Sequence, residues 1–89
     1  MAKAREVRLE RDFPGARQVY IAGDFNGWDP RARRMKRVRE GEDRFVARLT
    51  LLPGRYEFKY VVDGEWMCDP FLPRVPNQYG TENSVLTVE

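Results

Sequence analysis

The sequence predicts an all-β fold, an antiparallel sandwich of about seven strands. Apolar and polar residues alternate in short runs, the pattern of strands that bury one face. Turn-forming Gly, Pro, Asn and Asp separate those runs at intervals of about ten residues, as in sandwiches. No segment keeps a helical apolar period over several turns, so we expect no α-helix.

The first half of the chain contains two predicted strands and a long connection. Residues 6–13 alternate and carry the charges of an edge strand, and residues 18–23 form the next strand. Residues 24–30 are a loop of turn formers around Trp28. Residues 31–39 are the most basic segment, with six Lys or Arg among nine residues, and we expect a loop that ends in a short strand.

The second half contains the clearest strand pattern. Residues 44–52 alternate cleanly, and a Pro-Gly turn then leads into a hairpin. Three prolines and a glycine interrupt residues 70–82, which we expect to be irregular throughout. Residues 83–88 form the last strand. The aromatic residues predicted to lie in or near the core are Tyr20, Phe25, Phe45, Tyr56, Phe58 and Tyr60.

The hairpin is predicted by Asp63-Gly64, which lies between two apolar runs and suits a two-residue type I′ turn. Such a turn pairs Val62 with Glu65, Val61 with Trp66, Tyr60 with Met67 and Lys59 with Cys68. Side chains alternate between the faces of a strand, so Tyr60 points to the core while Lys59 and Trp66 share the other face. An indole beside a cation on an outward face is a candidate contact surface.

Composition limits the class of protein. The 89 residues suit one domain, 1–89, with a core from about residue 7 to residue 88. The net charge of +2 implies no obligatory polyanion partner. The chain has no histidine, the commonest general base and metal ligand, so we expect no enzyme activity, no metal and no cofactor.

The predicted location is the cytoplasm. Cys68 is the one cysteine, which excludes an intrachain disulfide and favours a reducing compartment. No apolar run approaches the roughly 20 residues that span a bilayer, and no apolar signal segment is visible at the start. We therefore expect no membrane partner.

Three motifs together resemble the family-48 carbohydrate-binding modules. The family includes the glycogen-binding domain of AMP-activated protein kinase β subunits and the N-terminal domains of branching and debranching enzymes. The motifs VYIAGDFNGWDP, LPGRYEFKYVVDGEWMCDP and YGTENSVLTV occur in the family's order and at similar spacing. The resemblance covers nearly the whole chain, roughly residues 7–88.

The resemblance implies an immunoglobulin-like sandwich that binds α-1,4-linked glucan, such as glycogen, starch or maltooligosaccharide, without catalysis. A glycogen-metabolism enzyme or a kinase subunit is then an expected protein partner. Tyr79 stands where the kinase β-subunit module has a leucine that tucks into the curl of the glucan. The carbohydrate-binding residues that the resemblance implies are Trp28, Lys59, Trp66, Tyr79, Thr81 and Asn83.

These residue types suit a sugar. A pyranose ring has apolar C–H faces that an indole covers with a large contact area and little loss of side-chain entropy. Lys59 donates hydrogen bonds, Asn83 donates and accepts them, and Thr81 offers a hydroxyl. Two tryptophans at an angle fit a curved chain such as an α-1,4 glucan. We expect affinities in the range of about micromolar to millimolar.

Other interpretations stay open at this point. Trp28 can cap one end of the sandwich, Lys59 can be a solvated side chain, and Thr81 and Asn83 can satisfy backbone groups. The basic segment 31–39 makes a protein-docking or weak nucleic-acid-binding role the alternative function, although no signature of a sheet-based RNA binder is present. Four carboxylates could in principle supply a glycosidase pair, but each lies beside Gly, Pro or a turn, where Asp is expected for backbone reasons: Asp24, Asp29, Asp63 and Asp69.

Overall fold

A computed structural model describes residues 2–89 and contains eight antiparallel strands and a single 3-10 turn, Asp24–Asn26. Within these residues no helix is long and apolar enough to cross a membrane. The strands are β1 (Arg5–Asp12), β2 (Val19–Gly23), β3 (Lys36–Arg37), β4 (Arg44–Leu51), β5 (Gly54–Val62), β6 (Glu65–Met67), β7 (Arg74–Pro76) and β8 (Glu82–Val88).

The strands form two sheets, which confirms the predicted antiparallel sandwich. One sheet has the order β1-β4-β3, and the other has the order β2-β5-β8-β7 with β6 also paired to β5. Alternation along each strand places one set of apolar side chains between the sheets. The most deeply buried large residues there include Ile21, Phe58 and Tyr60 from the second sheet and Phe45 from the first.

The hairpin turn forms as predicted. Asp63 and Gly64 have φ angles of 48° and 86°, the left-handed conformations that a type I′ turn requires. The ladder pairs Val62 with Glu65, Val61 with Trp66 and Tyr60 with Met67, and β6 ends there, before the expected pair of Lys59 with Cys68. The parity argument therefore holds, and Trp66 lies on the outer face with 46% of its surface exposed.

Asp63 also anchors the hairpin to the start of β2. Its carboxylate accepts hydrogen bonds from the backbone N–H groups of Gln18, at 2.8 Å, and Arg17, at 3.0 Å. These two bonds lower the pKa of Asp63 below its ordinary value of 3.8, because they favour the charged form. The carboxylate therefore stabilises the fold above that ordinary pKa, and this stabilisation is lost as the pH falls through the lowered value.

We expect Asp63→Asn to be less stable than the parent near neutral pH and to approach the parent as the pH falls below 3.8. Asn accepts the positive φ at this turn, so the variant should fold. Urea unfolding as a function of pH measures the difference, with the surface variant Glu40→Gln as control. A difference between Asp63→Asn and the parent that does not change with pH would contradict this linkage.

Two sequence predictions were wrong. Residues 70–82 are not irregular throughout, because β7 pairs with β8 there. Prolines are tolerated in β7 since it is an edge strand that needs hydrogen bonds on one side only. Tyr20 is not a core residue: it is half-buried and lies opposite Val61 in the ladder, on the outer face of the second sheet.

A buried polar cluster joins the two sheets. Asp69 is 0% exposed, and its Oδ2 accepts a 2.6 Å hydrogen bond from the Tyr60 hydroxyl. Its backbone N–H donates to Ser84 Oγ at 2.7 Å. The Arg11 Nε atom of β1 lies 3.0 Å from Asp69 Oδ2 as an ion pair without hydrogen-bond alignment. Burial is the main cause that raises the pKa of Tyr60, and the hydrogen bond to Asp69 adds to it. The hydroxyl therefore stays protonated.

Candidate functional site

The outer face of the second sheet supplies two of the predicted site residues. Lys59 on β5 and Trp66 on β6 are diagonal neighbours on that face, because Trp66 pairs with Val61, two residues after Lys59. The Lys59 Nζ atom donates a 3.0 Å hydrogen bond to the Thr81 hydroxyl. Strand alternation therefore brings an exposed indole, an ammonium group and a hydroxyl onto one surface.

The loop after β2 holds Trp28 in an unusual conformation. Its φ of 61° is left-handed, which is costly for a bulky residue by about 1–3 kcal/mol. Two hydrogen bonds hold it there: its backbone N–H donates to the Gly23 carbonyl at 3.0 Å, and its Nε1–H donates to Asp24 Oδ1 at 3.0 Å. Asp24 also accepts the backbone N–H of Glu57 on β5 at 2.7 Å. Asp24 thereby links the indole to β5.

The segment between β7 and β8 is organised by Asn77. Its Oδ1 accepts the backbone N–H groups of Tyr79, at 2.9 Å, and Thr81, at 3.2 Å. Its Nδ2 donates to Thr81 Oγ1 at 2.7 Å and to Asn83 Oδ1 at 2.9 Å. One amide thus holds the backbone and both polar side chains of this segment, while Tyr79 projects with 80% of its surface exposed.

Asn83 is more enclosed than the resemblance suggested. It is 9% exposed, and its Nδ2 donates to Glu57 Oε1 at 3.1 Å while its Oδ1 accepts from Asn77. With both ends of its amide already bonded, it has less capacity left for a ligand than Lys59 or Thr81. Its geometry favours orienting the neighbouring groups.

All six predicted site residues line one open cavity of about 700 Å³. The cavity also includes four residues that sequence reasoning did not assign to the site: Asp24, Glu57, Asn77 and Gln78. Alternation along β5 puts Glu57 on the face of Lys59, so strand parity is a signal by which the sequence could have identified Glu57. The sequence gives only a weak signal for the role of Asn77, which is an Asn three residues before Gly80. Its hydrogen-bond partners depend on the loop conformation, which the sequence alone does not show.

The side chains that line the cavity suit a neutral ligand that is rich in hydroxyl groups. Two indoles and a phenol supply flat apolar surfaces, and an ammonium, a hydroxyl and amides supply hydrogen bonds around them. Charges of both signs line the cavity, namely Lys59, Asp24 and Glu57. Among residues 2–89, no group of three or more Cys, Asp or Glu is arranged to hold a metal ion.

The turn-associated carboxylates and the basic segment are the other candidates from the sequence. Each of the four carboxylates accepts a backbone N–H. Asp29 accepts from Arg31 and Asp69 from Phe71 within their own turns, whereas Asp24 accepts from Glu57 and Asp63 from Arg17 and Gln18, which are distant in the chain. The basic segment lines a separate shallow cavity with Arg8 and Arg48 of the first sheet. Within it, Arg37 pairs with Asp43 at 3.4 Å.

Comparisons with known proteins agree with the motifs. The family described as the glycogen recognition site of AMP-activated protein kinase matches residues 7–89. Protein FLOURY ENDOSPERM 6, chloroplastic, from Oryza sativa subsp. japonica is 48% identical over 88 residues, which cover 99% of this chain and 16% of that protein. The 5'-AMP-activated protein kinase subunit beta-1 is 36% identical over 75 residues in both Sus scrofa and Homo sapiens.

The match to the β-1 subunits covers 84% of this chain, but only 57% of the Sus scrofa protein and 26% of the Homo sapiens protein. The chain thus spans a part of each relative's length. The match to the family covers nearly the whole chain, and its three motifs surround the cavity described above. The chain therefore belongs to the glycogen recognition site family of AMP-activated protein kinase.

Proposed function

We propose that the chain is a non-catalytic module that binds α-1,4-linked glucan in the cavity between Trp28 and Trp66. The observation that carries the proposal is the convergence of both tryptophans with Lys59, Thr81 and Tyr79 on one open surface. Membership of the glycogen recognition family supports the same ligand class.

The two indoles are the proposed stacking surfaces. Trp66 has 46% of its surface exposed, and Trp28 is half-buried and held by Asp24. Fixed aromatic rings lose little entropy when a sugar ring packs on them, because their conformations are set before binding. Tyr79, which is 80% exposed, would close on the ligand from the side.

Polar contacts would come chiefly from Lys59 and Thr81. The Lys59 ammonium has three donors and uses one on Thr81, so two can reach sugar hydroxyls. A neutral hydrogen bond exchanged with water contributes only about 0.5–1.5 kcal/mol, and one from a charged ammonium about 1.5–3 kcal/mol. Affinity per site should therefore be modest, and repeated sites on a polymer would strengthen attachment.

Titration with β-cyclodextrin tests the proposal. Because the chain has two tryptophans and both line the cavity, we expect a saturable change in tryptophan fluorescence. Maltoheptaose should give a similar change, and cellobiose, a β-linked sugar of different shape, is the control. No saturable change and no binding heat with either α-glucan would overturn the proposal.

We expect Asn77→Ala to weaken β-cyclodextrin binding by about threefold to tenfold, because the ligand would then have to order the segment that carries Tyr79 and Thr81. Isothermal titration calorimetry measures the loss. Glu82→Ala is the control, because Glu82 is an exposed residue of β8 between Thr81 and Asn83 that does not line the cavity. Equal affinities of the two variants would contradict a positioning role for Asn77.

Family membership also bears on the enzyme activity, the partners and the location of the chain. Carbohydrate-binding modules are a non-catalytic class, and we propose that this chain likewise has no enzyme activity. Similarity to kinase β subunits supports a role in bringing a partner enzyme or kinase to glucan. The cytoplasmic location stays a prediction, and one relative's name instead specifies the chloroplast.

A further inference from the structure

We propose that a second sugar subsite lies on the far side of Trp66, where a linear α-glucan bound in the first cavity continues across the sheet. This inference rests on the proposed function. It adds the path that a linear glucan takes across the sheet and a dependence of affinity on the length of the glucan. The first cavity is called the primary site below, and the groove lined by Tyr20, Val61 and Trp66 is called the second groove.

Three side chains of the second groove form a row. Tyr20 on β2 pairs with Val61 on β5, and Val61 pairs with Trp66 on β6. Residues at the same register of neighbouring strands point to the same face, so all three side chains lie on the outer surface of the second sheet. Adjacent strands are about 4.8 Å apart, which places the two aromatic residues about 10 Å apart with the valine between them.

Burial gives the groove its shape. Val61 is only 6% exposed although it lies on an outer face, and Tyr20 and Trp66 flank it in the ladder. Trp66 remains 46% exposed and Tyr20 is half-buried. The row is therefore an apolar floor between two aromatic walls, and a cavity of about 290 Å³ lies over it.

The groove also has polar groups that suit a sugar. Gln18 and Arg31 line the same cavity. The Gln18 amide both donates and accepts hydrogen bonds, and the Arg31 guanidinium donates them. Arg31 is exposed and forms no ion pair within residues 2–89. These donors are available for hydroxyl groups beside the C–H faces that the aromatic walls would cover.

Trp66 connects the two sites. It lines the primary site, with Lys59 and Thr81, and also the second groove, with Tyr20 and Val61. A linear chain that leaves the primary site past this indole enters the second groove. A closed ring such as β-cyclodextrin has no end to extend, so it would occupy the primary site alone.

The test is the ratio of two affinities, measured by calorimetry for β-cyclodextrin and for a long linear maltodextrin. We expect Tyr20→Ala to weaken maltodextrin binding by about threefold to tenfold and to leave cyclodextrin binding unchanged. Tyr20→Phe, which keeps the ring, should retain the parent's ratio. Arg31→Ala, at an exposed loop position, should weaken maltodextrin binding alone, by about twofold to fivefold.

The outcomes separate this inference from the proposed function. If the parent binds cyclodextrin and both Tyr20→Ala and Arg31→Ala keep the parent's ratio, the second groove is wrong and the primary site stands. If the parent binds neither sugar, both proposals fail. Should Tyr20→Ala not fold, Arg31→Ala decides together with NMR: maltodextrin, but not cyclodextrin, should shift the backbone amide signals of Gln18 and Gly64.

Discussion

Replacing Trp66 by alanine should weaken β-cyclodextrin binding by at least about thirtyfold, to the point where calorimetry detects no saturation. The Trp66 indole is an exposed apolar surface that lines both the primary site and the second groove. Its removal takes away a rigid stacking surface, and no neighbouring side chain on β6 can replace it, because Glu65 and Met67 alternate to the opposite face.

Phe71→Ala is the matched control for this prediction. Phe71 is 77% exposed, lies beside the Arg11 guanidinium at 5.3 Å, and lines a cavity away from the primary site. The Phe71→Ala variant should bind cyclodextrin with the parent's affinity. Thermal unfolding should show that this variant and Trp66→Ala are both folded. A folded Trp66→Ala protein with the parent's affinity would remove the stacking role from this residue and, with it, the main support for the site.

Replacing Asp69 by alanine should destabilise the fold by about 3–5 kcal/mol, because it leaves the Arg11 charge and the Tyr60 hydroxyl without their buried partner. A chain of this size has a total stability on the order of 5–10 kcal/mol, so the variant should be close to unfolding at 37 °C. Urea denaturation measures the loss.

Asp12→Asn is the control for the buried carboxylate. Asp12 lies at the end of β1 with 65% of its side chain exposed, and it pairs with Arg44 at 3.1 Å. An exposed pair of this kind contributes less than about 1 kcal/mol. If Asp69→Ala folds too poorly to measure, Asp69→Asn, which keeps the shape and loses the charge, should fall between the two. A loss in Asp69→Ala no larger than in Asp12→Asn would show that the cluster does not hold the sheets together.

The sequence alone determined most of the strands and the hairpin because both depend on local rules. A period of two identifies a half-buried strand, and Asp63-Gly64 sets a turn that admits one register. That register fixes by parity that Trp66 and Lys59 share the outer face, before any long-range contact is known. The three family motifs added Trp28, Tyr79, Thr81 and Asn83 to the site by resemblance, and the structure brings them to the same cavity.

Other features were decided only by contacts between distant parts of the chain. Pro73 precedes β7 and Pro76 ends it, which lowers its strand propensity, so only pairing with β8 reveals it. Asn77 becomes the organiser of its segment because the turn folds back on its amide, and Asp69 becomes a buried partner of Arg11 because the sheets meet there. Tyr20 stands in a row with Val61 and Trp66 because β2 and β6 pair with opposite edges of β5. Local sequence sets which face a side chain takes, whereas the pairing of distant strands sets which other side chains share that face.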